Sequence, residues 1–381
     1  MKFIAEKSII SEAVVNASKA CAVKTAFSAL DGVMLSLKDK DLTVTGYDLE
    51  TGIKVNIKVE GEKDGDIIVE SRLFSDILRR MPDGSNITIE VKENEKVCVS
   101  YGKIKLNIQG TKGENFPNII ELNKNISFLM KEKMLKNMLS QIDHAIARKD
   151  INPALMGAKF DIENNMLYIV SSDGVRLALR KEPVEFNDMS FIVPEKTVVE
   201  LIRNLSDDEE SEVNIVIDRN QIGFSKENYA IFSRLLDGKF VEYKRLIESK
   251  SEREFNINVR EFSDSLERSL LLINERFKSP VVCEIDSSGE FIGLSCKTGL
   301  GEFNEEIAIT KYTLKNPEYV EKDKKNFCIA FNPRFMIDAL RNSNCDEVRL
   351  EFTSELAPIR ITPPDSGEND VLFVVVPVRL K

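Results

Sequence analysis

Apolar and polar positions alternate along this chain in two rhythms, and the rhythms recur in the same order three times. The first is helical. Ile10, Ala13, Val14, Ala17 and Cys21 keep the three- and four-residue spacing that lays one apolar stripe along a helix. Met134, Leu135, Met138, Leu139, Ile142 and Ile146 repeat the stripe, as do Phe262, Leu266, Leu270, Ile273 and Phe277. Each stripe follows a short strand, and the phenylalanines of those strands, Phe3, Phe128 and Phe255, are 125 and 127 residues apart. The second rhythm has period two and predicts a pair of strands around a turn at 32–48, 157–173 and 281–298. Gly32, Gly157 and Val282 fall 125 residues apart at each step, and so do Asp48, Asp173 and Thr298. A strand then a helix follow at 66–81, 190–205 and 326–343, and each copy closes on a run of strands at 87–108, 213–236 and 348–380. One copy therefore reads roughly β-α-β-β-β-α-β-β-β, an α+β repeat long enough to hold its own core. The polar joins 123–125 and 248–252 divide the chain into three predicted domains, 1–123, 124–250 and 251–381.

Composition narrows the chemistry. With 42% hydrophobic and 30% charged residues in 381, the chain is globular, and no run reaches the length of a membrane span. Glu6 and Lys7 interrupt the apolar start, so no signal peptide is expected and a cytoplasmic address follows. Six cysteines without a C-x-x-C pair and a single histidine, His144, argue against a zinc site; no metal and no cofactor is expected. Serine–histidine catalysis would rest wholly on His144. There is no Walker A loop, zincin motif or nucleophile elbow. Asp48 and Asp173 could be imagined as nuclease carboxylates, yet they occupy one slot in two repeats and suit turn formation better. A non-catalytic protein is expected.

Charge changes the picture again. The net charge is −10, but the six predicted helices (7–24, 71–81, 131–149, 195–205, 260–278 and 332–342) together carry +8, leaving −18 elsewhere. In the third helix Lys133, Lys136 and Arg148 lie opposite the apolar stripe. If all the helices share one side of the sheets, that side is basic, the footprint of sequence-independent phosphate contact. A β-rich scaffold binding only protein is the rival, disfavoured by these basic helices.

Tyr47-Asp48-Leu49-Glu50, Asp173-Gly174-Val175-Arg176-Leu177-Ala178, Leu236-Asp237-Gly238-Lys239-Phe240-Val241-Glu242-Tyr243 and Val375-Val376-Pro377-Val378-Arg379-Leu380 occur in this order over three equal repeats. Together they resemble the bacterial DNA polymerase III beta subunit, the sliding clamp, over essentially the whole chain. The resemblance implies three clamp domains, each with two helices on antiparallel sheets. It implies a head-to-tail homodimer ring of pseudo-sixfold symmetry with helices lining the hole. The implied function is that of a processivity factor in DNA replication. The ring slides on double-stranded DNA and tethers the polymerase III alpha subunit, the clamp loader and other proteins with a clamp-binding motif. A database label of transferase or DNA-directed DNA polymerase would reflect the holoenzyme.

The same resemblance implies sites. A groove between the second and third domains would take a short peptide with apolar anchors. The matching positions are Leu155, Ser172, Gly174, Val175, Arg176 and Leu177, then Val241, Arg245, Leu246, Leu356 and Pro358, then Val374, Val376, Pro377, Val378, Arg379 and Leu380, with Val376-Pro377-Val378 forming one wall. Val175 replaces a common histidine, Val241 a proline, and Val376 and Val378 methionines, so a narrower pocket is expected. DNA contacts are expected at Lys24, Arg72, Arg79, Lys149 and Asn152, with Lys133, Lys136 and Arg148 added from the charge pattern. Pro153 and Ala154 stand where some relatives stack a tyrosine pair on bases. For the dimer interface, the alternating strand containing Lys103, Lys105, Leu106 and Ile108 is expected to meet Leu271 and Leu272, with Glu302, Glu305 and Glu306 facing the lysines.

Overall fold

The structure, a computed structural model, describes all residues except 23–27, 120–121, 123–125, 249–250, 274–278, 286–288, 316–326, 365–370 and 381. Lys24, Phe277 and most of the two predicted joins thus lie outside the described residues. The six expected helices form: α1 Lys7–Ser18, α2 Ser71–Arg79, α3 Glu132–Ile142, α4 Glu195–Asn204, α5 Val259–Leu270 and α6 Pro333–Asn342. Their starts are written in the sequence. The Glu70 carboxylate accepts from the backbone N–H groups of Arg72 and Leu73, and Asn258 and Asn332 accept from those of Glu261 and Arg334. Each cap contributes about 1 kcal/mol.

The ends are shorter than the apolar stripes predict. In α1 the Ser18 hydroxyl donates back to the Val14 carbonyl at 2.6 Å, and the helix closes before Cys21. After Ile142 the chain tightens into a 3-10 turn, Asp143–Ala145, so Ile146 is buried without being helical. The α5 helix stops at Leu270.

Each repeat also holds a strand that the hydrophobic pattern missed: Thr51–Lys58, Arg176–Pro183 and Gly301–Ala308. The two-strand reading ended at Asp48, Asp173 and Thr298, but these residues make a tight turn into a third strand. Asp48 Oδ1 accepts from the N–H groups of Glu50 and Thr51 at 3.0 and 2.7 Å. Asp173 Oδ1 does the same for Val175 and Arg176 at 3.1 and 3.0 Å, and Thr298 Oγ1 accepts from Leu300 at 3.1 Å. These local bonds are what the turn reading of the aspartates expected.

The missed strands decide how the chain is organised, because two of them join repeats. The chain forms two compact units, Met1–Lys133 with Arg203–Leu235, and Met134–Ile202 with Leu236–Lys381. In the first unit a nine-stranded sheet runs through the meander Gly32–Lys38, Asp41–Tyr47 and Thr51–Lys58, then directly into Tyr229–Arg234 of the second repeat. A five-stranded sheet, which contains Lys2–Glu6, ends on Ile104–Gln109. Between them α1 packs on α2, burying Ile10, Ala13, Val14 and Ala17. In the second unit the meander Gly157–Glu163, Met166–Ser172 and Arg176–Pro183 continues into Val371–Val375 of the third repeat, again in a nine-stranded sheet. A four-stranded sheet there ends on Gly301–Ala308, and α5 packs on α6. All pairing is antiparallel. The cysteines Cys21, Cys98, Cys283 and Cys296 are buried, and Cys328 and Cys345 partly so.

Candidate binding groove and open sheet edges

The groove residues gather in the second unit, around the join between Arg176–Pro183 and Val371–Val375. Arg176 pairs with Val375 and Leu177 with Val374. Beneath them lies one apolar cluster containing Leu155, Leu177, Val374, Val170, Phe240 and Tyr243, with Val241 and Leu246 packed against it. Leu155, Leu177 and Val374 are buried, so they form the floor of the site and not its exposed lining. Above the floor Val175, Leu356, Val376, Val378 and Leu380 are exposed, between 40% and 63%, an unusual density of uncovered apolar side chains. Pro358 and Pro377 are half-buried, and Arg245 and Arg379 are exposed.

The wall is held in place by backbone bonds. The Val376 N–H donates to the Val175 carbonyl at 3.0 Å and the Val378 N–H to the Ala330 carbonyl at 2.7 Å. The tail is thus strapped to the turn of one repeat and a strand of the next. The turn is itself fixed. Gly174 sits at φ +86, in the left-handed region that glycine adopts without strain. Ser172 is buried; its hydroxyl donates to the Arg176 carbonyl at 2.7 Å and accepts from Gly174 N–H at 3.1 Å. Ser172 is therefore spent on the turn.

Three side chains outside the expected groove residues pack around them. Tyr243 is buried, and its hydroxyl donates to Asp161 at 2.5 Å; burial and then this bond push its pKa far up. That anchors the segment carrying Val241, Arg245 and Leu246. Phe335 and Asp338, both on α6, hold the Arg176 side chain: its guanidinium lies 4.6 Å over the Phe335 ring, and its Nη1 donates to Asp338 Oδ2 at 2.5 Å. The i, i+3 spacing of Phe335 and Asp338 was visible, but nothing in one sequence ties it to a residue 162 positions away. His144 packs near Phe373 with its Nδ1 buried and without a hydrogen-bond partner among the described residues. Burial first, then the nearby Arg176, lowers its pKa to about 4.

The proposed DNA-contact residues are more dispersed. In the first unit Arg72 is exposed at the start of α2, Arg79 pairs with Asp76, and Lys133 pairs with Glu209. In the second, Lys136 is half-buried on α3, whereas Arg148 and Lys149 are exposed on the loop before Pro153. Asn152 is spent on that loop: its Nδ2 donates to the Lys239 carbonyl at 2.9 Å and its Oδ1 accepts from Ala154 at 3.2 Å. Its role is to shape the loop that carries Arg148 and Lys149.

The two edges expected at an interface are both outermost strands among the described residues. Ile104–Gln109 is the outer strand of its sheet, with Ile104 and Leu106 exposed and Lys103 and Lys105 fully outward; Ile108 is half-buried. Gly301–Ala308 is likewise outermost, and Leu271 beside it is 79% exposed, with Leu272 half-buried. The alternation of the strand separates the three glutamates that the sequence grouped together. Glu302 and Glu306 point one way, Glu302 meeting Lys297. Glu305 points the other way, accepting from Ser265 at 2.8 Å and from Arg268 on α5 at 2.5 Å. That engagement lowers the Glu305 pKa, the Arg268 hydrogen bond being the main cause.

Three fused α+β repeats that share sheets across their joins define a clamp-type repeat protein. The comparisons give that class a family. Models of the DNA polymerase III beta subunit match in chain order: its N-terminal domain over residues 1–120, central domain over 129–242 and C-terminal domain over 244–379. A structure described as a DNA polymerase III beta subunit, from Eubacterium rectale, is 30% identical over 99% of both chains, with a TM-score of 0.90. The sliding clamp structure from Bacillus subtilis is 27% identical over the whole of both chains, also at 0.90. The curated beta sliding clamp of Bacillus subtilis is 29% identical over 391 aligned residues, covering both chains fully. The chain belongs to the DNA polymerase III beta subunit family.

Proposed function

We propose that the protein is a non-catalytic sliding clamp that closes head to tail with a second copy around duplex DNA and tethers replication proteins through the groove. One observation carries the ring. Two joins inside the chain are built alike: the third strand of one repeat pairs with the last strand of the next, Thr51 opposite Ser233 and Arg176 opposite Val375. Gly301–Ala308 is the third strand of the last repeat, and Ile104–Gln109 stands one repeat before Tyr229–Arg234; among the described residues each is the outermost strand of its sheet, paired on one side. Stepping the register of the first join by the 125-residue repeat, two steps forward for the third strand and one step back for the last, sets Gly301 opposite Ile108 and Phe303 opposite Leu106 of a second copy. Lys103 then faces Glu306 across the strands. Open alternating edges in a stable protein call for such a partner.

The domains proposed for this ring are 1–123, 124–250 and 251–381, joined by the shared sheets. A ring cannot leave DNA sideways, so weak, salt-sensitive contacts from residues such as Arg72, Arg148 and Lys149 suffice and permit sliding. Tethering raises the effective concentration of polymerase at the primer. The site of action is the cytoplasm; among the described residues no helix is long and apolar enough to cross a membrane.

Retention on nicked circular DNA, with release on linearisation, is the expected result. Equal retention on both forms refutes the topological mechanism. Leu106→Glu should convert the dimer to monomer in sedimentation, and a persisting dimer rejects the proposed edge.

A further inference from the structure

We propose that Asp338 and Phe335 are positioning residues that turn Arg176 from an anion clamp into a donor for neutral acceptors, so the groove selects against a carboxylate at the peptide position that meets Arg176. The proposal rests on the groove reading above and specifies what the groove takes.

The geometry is specific. Arg176 Nε donates to Asp173 Oδ2 at 2.9 Å and Nη1 donates to Asp338 Oδ2 at 2.5 Å. One face of the guanidinium is covered by Phe335 at 4.6 Å. The side chain retains 15% exposure. Of the guanidinium's donor edges, Nη2 is the one these contacts leave over. It is fixed in direction by a planar group held at two edges and one face.

The charge count sets the preference. Two carboxylates face one guanidinium, and both bond it directly, so this corner of the groove carries a net negative charge. His144, the other titratable ring near Arg176, is uncharged at neutral pH because burial lowers its pKa to about 4, and it restores no positive charge. A peptide carbonyl or side-chain amide gains a hydrogen bond from Nη2. A glutamate in the same place meets Asp173 and Asp338 as like charges. Selection by an unfavourable contact of this kind is an ordinary route to specificity. Asp338 belongs to the third repeat and Arg176 to the second, so the preference exists only where the two repeats are joined.

The test uses the full chain and two fluorescein-labelled peptides with the same leucine and phenylalanine anchors. They differ only by glutamine or glutamate at one flanking position, which is moved stepwise along the peptide. At one position the wild-type protein should prefer glutamine about tenfold in anisotropy titrations, a ratio equal to one decade of Kd. Asp338→Asn should cut that ratio to about twofold while the glutamine peptide still binds, and Asp338→Glu should restore it. Phe335→Leu should weaken the glutamine peptide and blur the ratio. A wild-type ratio near one at every position, or a ratio unmoved by Asp338→Asn, overturns the proposal while the groove stands. Failure of both peptides to bind, or binding that survives removal of 376–381, overturns the groove and this proposal with it.

Discussion

The two internal joins of the chain are built on one plan and filled by different side chains. In the first unit Gly52 pairs with Phe232; in the second, the equivalent residues are Leu177 and Val374. The Phe232 ring occupies the space over Gly52, where a side chain would collide with it, and lies tilted at 5.7 Å from the Tyr47 ring. Phe116 and Ile68 close the same cluster. The first join thus packs an aromatic ring over a glycine. In the second join two aliphatic side chains share the load, both stay buried, and the apolar tail 376–380 stands beside an uncovered turn. The sheet makes both joins; the side chains placed on the paired strands set them apart.

The largest break in this comparison is removal of the tail. Deleting residues 376–381 should leave the sheet join, which ends at Val375, intact and abolish peptide binding by calorimetry, a loss of more than about a hundredfold. Retained affinity would place the groove elsewhere. Next in size, Gly52→Leu should destabilise the first unit by at least about 3 kcal/mol through overpacking against Phe232. Adding Phe232→Val copies the Leu177–Val374 pair and should recover most of that loss in urea unfolding. If the double variant also binds a peptide at the first join, the ring alone was closing it; if the loss is purely additive, the two joins are not equivalent.

Much of this was legible beforehand, and the gaps have physical causes. The repeat, the helices and the turn aspartates follow from spacing, because local bonds fix them. The third strand of each meander was hidden by the tight turn before it, which sequence reads as an end. The division into two units was hidden because strand pairing across repeats is a long-range choice that period two does not encode. Of the residues expected in the groove, Val175, Val376 and Leu380 are exposed, whereas Leu155 and Leu177 are buried. The Arg176–Asp338 contact joins positions too far apart for any pattern in one chain to reveal.

A smaller effect sharpens the comparison through pH. His144 lies at the second join, and its folded pKa of about 4 is below the unfolded value of 6.5. The unfolded chain therefore binds more protons between those values. The stability from keeping the ring neutral is fully present above pH 6.5 and is lost as pH falls towards 4, by up to about 3 kcal/mol. Asp143, whose pKa burial raises, acts with the opposite sign. His144→Gln isolates the histidine, since Asp143 is common to both proteins. The variant should lose less stability than the wild type between pH 7 and pH 4.5, and parallel losses would mean the ring is solvated.

The smallest effect separates turn chemistry from binding. Asp48 and Asp173 each hold two backbone N–H groups in the same turn of neighbouring repeats, so replacing either with alanine should cost stability by a similar amount, about 1 kcal/mol. Their further contacts differ. Asp173 also accepts from Arg176 Nε through its second oxygen, and its turn presents Val175 to the groove and straps Val376. Asp173→Ala should therefore weaken peptide binding several-fold, and Asp48→Ala should leave it unchanged. Asp173→Asn, which keeps an oxygen for the turn, should retain most of the stability and show the binding change alone. Equal binding losses from the two alanine variants would mean that the turn acts through global stability, and that the second join owes its binding to the tail and not to the Arg176 corner.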